Sequence, residues 1–386
     1  MSIYFDNSAT TKMDDKVFDY MRDFNERYYA NPSALHRFGF LVEKEIKNAA
    51  LDISNILHVD PSEIIWTSGG TESNNLALYG YAISHMKLGN HIITTKIEHP
   101  SVLNVCKMLQ EIGFDISYLS VDETGHIDLK ELEDKITDKT ILVSIMYVNN
   151  EIGSIQEIGK IGELIKERNN RVAFHVDFVQ GFGKIRINCK TEKIDMLSIS
   201  SHKFYGPKGV GILYKNKNCR VNPMILGGGQ QNGLRSGTLN TLGIVGTAFA
   251  AKSIYEDFDK EVNHLKELKN YLYKNLLDLN KKYNIIKINS RVDDGFAPHI
   301  LSISFTGIKS EVMLHALDES SIFVSAGSAC SSHEKHVSNT LSSIGLSRDL
   351  LDATIRVSFG KYNTVDEIDE FISTLEKLIP VLGKYK

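Results

Sequence analysis

The stretch VAFHVDFVQ, residues 172–180, is almost continuously apolar up to an aspartate. Such a run is typical of a strand that is buried on both faces, as in a parallel sheet covered by helices. MLSISSHKF, residues 196–204, is a second run of this kind, and IGKIGELIKERNN, residues 158–170, has the pattern of an amphipathic helix. This alternation predicts an α/β fold with a mostly parallel sheet, whose ligands bind beyond the carboxyl ends of the strands.

The pattern changes near residue 250. A long charged helix is predicted over residues 259–283, and the strand-like runs HILSISFTG (299–307), SIFVSAG (321–327) and TIRVSFG (354–360) follow it. We expect a large domain over residues 13–255. Residues 1–12 together with 256–386 are expected to form a smaller α+β domain.

Composition narrows the class of protein. The 386 residues are 42% hydrophobic and 24% charged, as in ordinary soluble globular proteins, and the net charge of −4 argues against nucleic acid or an anionic membrane as an obligatory partner. No apolar run is long enough to span a membrane, and the N-terminus lacks the pattern of a secretory signal. Four scattered cysteines do not form a disulfide framework, so a cytoplasmic location is expected.

A lysine follows one of the apolar strands. SISSHKFYGPKG, residues 198–209, places Lys203 after two serines and a histidine and before a Gly-Pro-Lys-Gly turn. A lysine at a strand end is more often an ordinary solvated side chain. These polar neighbours favour another role, because a shielded lysine near anion-binding groups forms a Schiff base with a carbonyl cofactor.

Pyridoxal phosphate would require further groups, and the sequence offers them. In TSGGTES, residues 67–73, Gly69 and Gly70 let backbone amides approach a phosphate, and Thr71 opens a helix whose N-terminus favours an anion. Asp177 can pair with the protonated pyridine nitrogen. Gln180 can bind the ring oxygen, and His99 can stack on the ring.

At these residues the chain resembles the pyridoxal-phosphate-dependent cysteine desulfurases of the NifS/IscS group, in the class V aminotransferase superfamily. The resemblance extends over nearly the whole chain, and the GSAC sequence at 327–330 is typical of the NifS/IscS group. The matching motifs, in order, are IYFDNSATT, NPSALH, TSGGTESNN, IEHPS, VNNEIG, HVDFVQ, SSHKFYGPKG, LRSGT, SAGSAC and IRVSFGKYNT. It implies the fold type I of pyridoxal phosphate enzymes and a homodimer.

The resemblance also implies a role for each matching residue. Lys203 would carry pyridoxal phosphate, Asp177 would pair with its ring nitrogen, and Cys330 would accept sulfur from L-cysteine as a persulfide. The remaining assignments are the phosphate ligands Gly70, Thr71, Ser200 and His202, the phosphate contact Thr238 from the other subunit, the ring contacts His99 and Gln180, and the substrate-carboxylate ligands Asn150 and Arg356. Asn150 would also contact the cofactor, and His99 would carry protons.

The chain departs from the family pattern at two positions. Ser201 stands where glycine is common, and Phe178 follows Asp177 where alanine or glycine is usual. Because residues 177 and 179 share one face of a strand, we expect Val179 to pack on the cofactor ring and Phe178 to point away.

Several alternatives remain at this stage. The chain could be a selenocysteine lyase, another class V enzyme, or a sulfur-relay scaffold that depends on its partner. The acceptor could be an iron–sulfur scaffold or a tRNA thiolation enzyme. The HEKH run at 333–336 lacks the spacing of a zinc helix, and the glycine-rich run at 227–233 is better explained as a dimer contact than as a nucleotide site.

Overall fold

The computed structural model describes residues 2–326 and 338–383, and its helices and strands follow the predicted alternation. The strands are β1 Ile3–Tyr4, β2 Ile64–Thr67, β3 His91–Thr95, β4 Asp115–Leu119, β5 Thr140–Met146, β6 Ala173–Asp177, β7 Met196–Ser200, β8 Gly211–Lys215, β9 Ile286–Ile288, β10 Ile300–Phe305, β11 Ile322–Phe323, β12 Ser325–Ala326 and β13 Thr354–Ser358. The α-helices are α1 Asp15–Arg27, α2 Arg37–Leu57, α3 Gly70–Asn75, α4 Tyr81–His85, α5 Pro100–Glu111, α6 Leu129–Lys135, α7 Ile158–Arg168, α8 Thr241–Glu256, α9 Phe258–Tyr283, α10 Ser310–Glu319, α11 Asn339–Ser343, α12 Arg348–Leu351 and α13 Val365–Leu382.

The large sheet has the strand order β2-β8-β7-β6-β5-β3-β4. Strands β4, β3, β5, β6 and β7 are mutually parallel, and β8 runs antiparallel to both β7 and β2. The predicted α/β fold with a mostly parallel sheet is therefore confirmed.

Alternate residues of the central strands enter separate hydrophobic clusters on the two faces of the sheet. Phe174 and Leu197 belong to one cluster, whereas their chain neighbours Ala173 and Met196 belong to the other. Side chains of successive strand residues point to opposite faces, so both faces must be covered. This explains why the sequence of β6 is apolar at nearly every position, and all five of its residues are buried.

The helix predicted after the glycine pair contains an irregularity. α3 passes into a π-helical turn at Leu76–Gly80 before α4 begins at Tyr81. π-helical turns are commonly found at functional sites, and this one lies directly after the helix start predicted to bind phosphate.

The third hydrophobic cluster joins the two ends of the chain. An antiparallel sheet of order β12-β13-β10-β9 packs with α9, α10 and α13, and Phe5 lies in the same cluster. This separate cluster supports the domain bounds 13–255 and 1–12 with 256–386, which remain a proposal.

The strand-like run SIFVSAG contains two short strands. Ile322–Phe323 pairs with β1, whereas Ser325–Ala326 pairs with β13 in a different sheet. The chain changes partners at Val324, so two short strands replace one. A pattern of β-branched residues indicates strand conformation but does not fix the pairing partner.

Candidate active site

A cavity of about 960 Å³ opens at the carboxyl ends of β5, β6 and β7. It lies where parallel α/β sheets bind their ligands. Ten of the twelve residues predicted from the sequence line it: Gly70, Thr71, His99, Asn150, Asp177, Gln180, Ser200, His202, Lys203 and Arg356. Thr238 is exposed and lies outside this lining, and its contact to another subunit remains a prediction. Cys330 lies outside the described residues.

The predicted phosphate cradle is built on close backbone packing. A Cβ atom on Gly70 would lie 2.7 Å from Val179 Cγ2 and 3.4 Å from Ser200 Cβ. Behind it, a Cβ on Gly211 would lie 2.4 Å from the carbonyl carbon of Gly69. Glycine at 70 and 211 therefore brings the start of α3 close to β7 and β8, and leaves its amides near the cavity.

His202 provides a neutral group beside this cradle. Its Nδ1 lies 3.1 Å from Thr10 Oγ1, and burial, reinforced by the positive charges of Lys203, Lys208 and Lys184, lowers the pKa of His202 to about 4. At neutral pH its ring therefore bears one proton and can donate one hydrogen bond to an anion.

Lys203 follows β7 in a short 3-10 turn, Ser201–Lys203. Its Nζ donates to the carbonyl of Ser8 and, at 2.8 Å, to the carbonyl of Ala9. Lys184 stabilises this turn, because its Nζ donates a hydrogen bond to the Lys203 carbonyl at 2.5 Å. The side chain of Lys203 is thus directed toward the N-terminal segment across the cavity.

Asp177 closes the inner end of the cavity and is only 6% exposed. Its Oδ2 accepts from Asn74 Nδ2 at 2.8 Å, and its Oδ1 accepts from the backbone N–H of Val179 at 3.0 Å. Both donors are neutral, so the carboxylate can still accept a charged donor from a ligand.

His99 and Gln180 lie beside Asp177 in the same lining. His99 caps α5, and its Nδ1 accepts from the backbone N–H of Ser101 at 3.1 Å. Burial lowers the pKa of His99, with Asp177 opposing this effect and Lys203 adding to it. Gln180 donates from Nε2 to the Ser8 carbonyl at 3.0 Å.

Arg356 is buried at the opposite side of the cavity. Its Nη2 pairs with Asp6 Oδ1 at 2.7 Å, and its Nη1 donates to the Asn150 carbonyl at 2.8 Å. Nε is buried and has no hydrogen-bond partner within the described residues. Because a guanidinium binds a carboxylate through two parallel N–H groups, Arg356 is suited to an anionic ligand group.

The sequence predicted no role for two carboxyl groups of this cavity, the buried Glu98 and the half-buried Glu151. Glu98 is 4% exposed, and burial raises its pKa to about 8 although Met146 N–H and Thr95 Oγ1 donate to its Oε1. Burial also raises the pKa of Glu151 to about 7, and Ser338 Oγ donates to its Oε2 at 2.6 Å. Glu98 precedes His99 and Glu151 follows Asn150, so their position next to predicted site residues could have indicated that they belong to the site.

Phe178 has the orientation predicted from strand parity. It is fully buried and packs against Tyr147 and Phe182 with ring centroids 5.1 and 6.3 Å apart, whereas Val179 lines the cavity. The unusual aromatic residue therefore fills the layer behind the site. Contact between Val179 and a cofactor ring remains a prediction.

Comparison with known proteins identifies the family. The model of the class-V aminotransferase family matches residues 3–371. The chain belongs to the class-V aminotransferase family. The resemblance stated from the sequence is therefore confirmed.

Named relatives within the class-V aminotransferase family cover nearly the whole chain. Proteins named cysteine desulfurase IscS from Clostridium botulinum and Klebsiella pneumoniae are each 41% identical over 98% of this chain, and over 94% and 93% of their own lengths. A solved NifS-like protein has a TM-score of 0.93 and 37% identity, covering 99% of this chain and 100% of its own. The structure titled SspA in complex with cysteine has a TM-score of 0.80 and 35% identity, covering 94% and 100%.

The class-V family implies pyridoxal phosphate, and the residues of this cavity fit that group. A side chain at Gly70 would have to displace Val179, so glycine there allows the close approach of a phosphate to backbone amides. The buried Asp177 carboxylate has neutral partners and suits a protonated ring nitrogen. Within the described residues, no three His, Cys, Asp or Glu side chains are grouped so that they could hold a metal ion. None of the described helices is long and apolar enough to cross a membrane.

Proposed function

We propose that this chain is a cysteine desulfurase, which converts L-cysteine to L-alanine and transfers the sulfur as a persulfide on Cys330 to an acceptor protein. The observation that supports it most directly is the single cavity that contains a lysine, a buried acid, a glycine cradle and a buried arginine. These groups match the amine, phosphate, ring and carboxylate chemistry of an amino-acid-converting pyridoxal phosphate enzyme.

The cofactor would be held by residues from four parts of the chain. Gly70, Thr71, Ser200 and His202 would bind its phosphate, with Thr238 reaching it from the partner subunit of a homodimer. Bound there, pyridoxal phosphate would supply an aldehyde that reacts with amines and a ring that withdraws electrons from the substrate Cα. Asp177 would keep a proton on the ring nitrogen, and Gln180 would bind the ring oxygen.

The substrate would be oriented by its carboxylate. Two nitrogens of Arg356 already donate hydrogen bonds to Asp6 and Asn150, and its Nε has no hydrogen-bond partner within the described residues. Binding of the substrate carboxylate would replace or share these partners. Lys203 would then take the proton from the substrate Cα, because a lysine that is released from the cofactor becomes a free amine beside the substrate.

Sulfur transfer would take place on the segment beyond the described residues. The Cys330 sulfur forms a bond with the substrate sulfur while the substrate Cβ–S bond breaks, and the electron pair of that bond stays on carbon. Carbon takes up the proton that the Cys330 thiol loses. One thiol and L-cysteine therefore give one persulfide and L-alanine without an external oxidant.

The acceptor would be an iron–sulfur scaffold or a tRNA thiolation enzyme, reached in the cytoplasm. The sequence features that would choose between them lie around residues 331–339, most of which are outside the described residues.

The first test is an absorbance spectrum of purified protein with and without L-cysteine. We expect a band at about 390–420 nm that changes when cysteine is added. The band should be lost in Lys203→Ala and kept in Lys217→Ala, a control at an exposed lysine. A colourless protein that cannot be reconstituted with pyridoxal phosphate would refute the enzyme and leave the scaffold alternative.

The second test separates desulfuration from other class V reactions. Cys330→Ala should abolish transfer of ³⁵S from cysteine to the protein and reduce alanine formation, whereas Cys219→Ala should retain both. Full alanine formation with Cys330→Ala would exclude the proposed persulfide step and favour a lyase. Preference for selenocysteine over cysteine would identify a selenocysteine lyase.

A further inference from the structure

Two residues without an assigned role connect the acid and the histidine of the cavity. Asn74 Nδ2 lies 2.8 Å from Asp177 Oδ2 and 2.9 Å from Ser101 Oγ. Ser101 Oγ in turn lies 2.8 Å from His99 Nδ1. A continuous hydrogen-bonded chain therefore runs from Asp177 through Asn74 and Ser101 to His99.

The direction of each hydrogen bond in this chain follows from the chemistry of its ends. An ionised carboxylate only accepts, so Asn74 must present its NH₂ group to Asp177. The second N–H of the same group donates to Ser101 Oγ. The Ser101 hydroxyl therefore has its own proton available for His99 Nδ1.

A second donor reaches the same nitrogen of His99. The backbone N–H of Ser101 lies 3.1 Å from Nδ1, and a backbone N–H can only donate. Nδ1 therefore accepts two hydrogen bonds and carries no proton. In a neutral imidazole the single proton is then on Nε2.

We propose that Asn74 and Ser101 are positioning residues that hold His99 as the neutral tautomer with its proton on Nε2. His99 then acts in the cavity as a hydrogen-bond donor through Nε2–H. It does not act as a base, because protonation to imidazolium requires Nδ1 to give up both donors from Ser101.

This inference modifies the role predicted for His99 as a proton carrier. The consequence for sulfur transfer rests on the proposed function, since it requires another base to take the proton of the Cys330 thiol. The tautomer itself does not depend on that function. The titratable groups that face His99 are Asp177 at the end of β6 and Lys203 in the turn after β7. Glu98 directly precedes His99 in the chain.

The arrangement also explains why the site keeps His99 neutral. Burial lowers the pKa of His99, and two hydrogen bonds to Nδ1 stabilise the neutral ring further. Removing the Ser101 hydroxyl takes away one of them. We expect the titration midpoint of His99 to rise by about half to one pH unit in Ser101→Ala.

The test is two-bond ¹H–¹⁵N correlation NMR of [¹⁵N]histidine-labelled holoenzyme in the absence of cysteine, with His99 assigned from His99→Gln. At pH 7 we expect Nδ1 to be unprotonated and Nε2 protonated. A proton on Nδ1, an averaged pair of shifts or an imidazolium would each overturn the proposal. The measurement needs no turnover, so an inactive protein would leave this result intact and refute only the proposed function.

Two further variants complete the test. Ser101→Thr keeps the hydroxyl and should restore the wild-type midpoint. Ser84→Ala removes a comparable bond, Ser84 Oγ to His85 Nδ1 at 2.7 Å, on an outer helix and should leave His99 unchanged. An unchanged His99 midpoint in Ser101→Ala, or an equal shift in Ser84→Ala, would contradict the role of Ser101.

Discussion

A methyl group added at Gly70 should weaken binding of pyridoxal phosphate, and the distances within the glycine cradle determine by how much. In Gly70→Ala the new methyl group would lie 2.7 Å from Val179 Cγ2, whereas carbon atoms in contact are ordinarily about 3.5–4.0 Å apart. The two groups must separate by about 1 Å. Val179 is stiff at χ1, and its backbone N–H donates to Asp177 Oδ1, so the displacement extends to the Asp177 carboxylate.

Overpacking of this kind costs about 1–3 kcal/mol. If that cost falls on the cofactor-bound state, affinity for pyridoxal phosphate decreases by about 5- to 150-fold. Gly69→Ala is the matched control, because its Cβ would meet no atom closer than Ser200 Oγ at 3.9 Å. We expect Gly69→Ala to lose less affinity than Gly70→Ala, because no protein side chain has to move.

The assay is a titration of cofactor-free protein with pyridoxal phosphate. Absorbance reports the bound cofactor, and the fluorescence of Trp66, the single tryptophan of the sequence, reports the adjacent strand β2. Equal affinities for the two alanine variants would refute the argument that contact with Val179 limits the cradle. A loss of thermal stability in cofactor-free Gly70→Ala without loss of affinity would show that the strain is present before binding.

Three further predictions concern charge in the cavity. Burial raises the pKa of Glu98 from 4.5 to about 8, so between these two pH values the folded protein binds one more proton than the unfolded chain, and the free energy of unfolding falls as pH rises. Urea unfolding between pH 5 and 8.5 should show a smaller fall in Glu98→Gln. An identical fall in the two proteins would contradict the role of Glu98. Burial lowers the pKa of Lys184 from 10.5 to about 7, so between these two pH values the unfolded chain binds one more proton and the free energy of unfolding rises with pH. Urea unfolding across this range should show a smaller rise in Lys184→Met. An unchanged slope would show that Lys184 is charged when folded. Arg356→Lys keeps the charge but loses the two-pronged geometry, so steady-state kinetics should give a KM for L-cysteine about 10- to 100-fold higher with a smaller change in kcat, and an unchanged KM would place the carboxylate elsewhere.

The sequence predicted much of this site because its residues follow strands. Asp177, Ser200 and Lys203 come at or just after the ends of apolar runs, and parallel strands bring those ends to one edge of a sheet. The position of each group along the chain was therefore enough to predict that they meet.

The supporting contacts could not be predicted in the same way. Asn74 lies 103 residues from its partner Asp177, and Ser8 lies 195 residues from Lys203. Such pairs form only when distant elements pack together in the folded protein, so the periodicity of the sequence does not predict them. The quoted motifs contained Asn74 and Ser8, but only the structure indicates what they bind.

The N-terminal segment has a consequence for the order in which the site can form during synthesis. Phe5 donates its N–H to Phe323 at 2.8 Å, and Asp6 is paired with Arg356, 350 residues further along the chain. Residues 3–10 therefore leave the ribosome long before the strands that hold them exist. The cavity wall that receives Lys203 is therefore completed only after synthesis has passed residue 356, however early the segment that forms it was made.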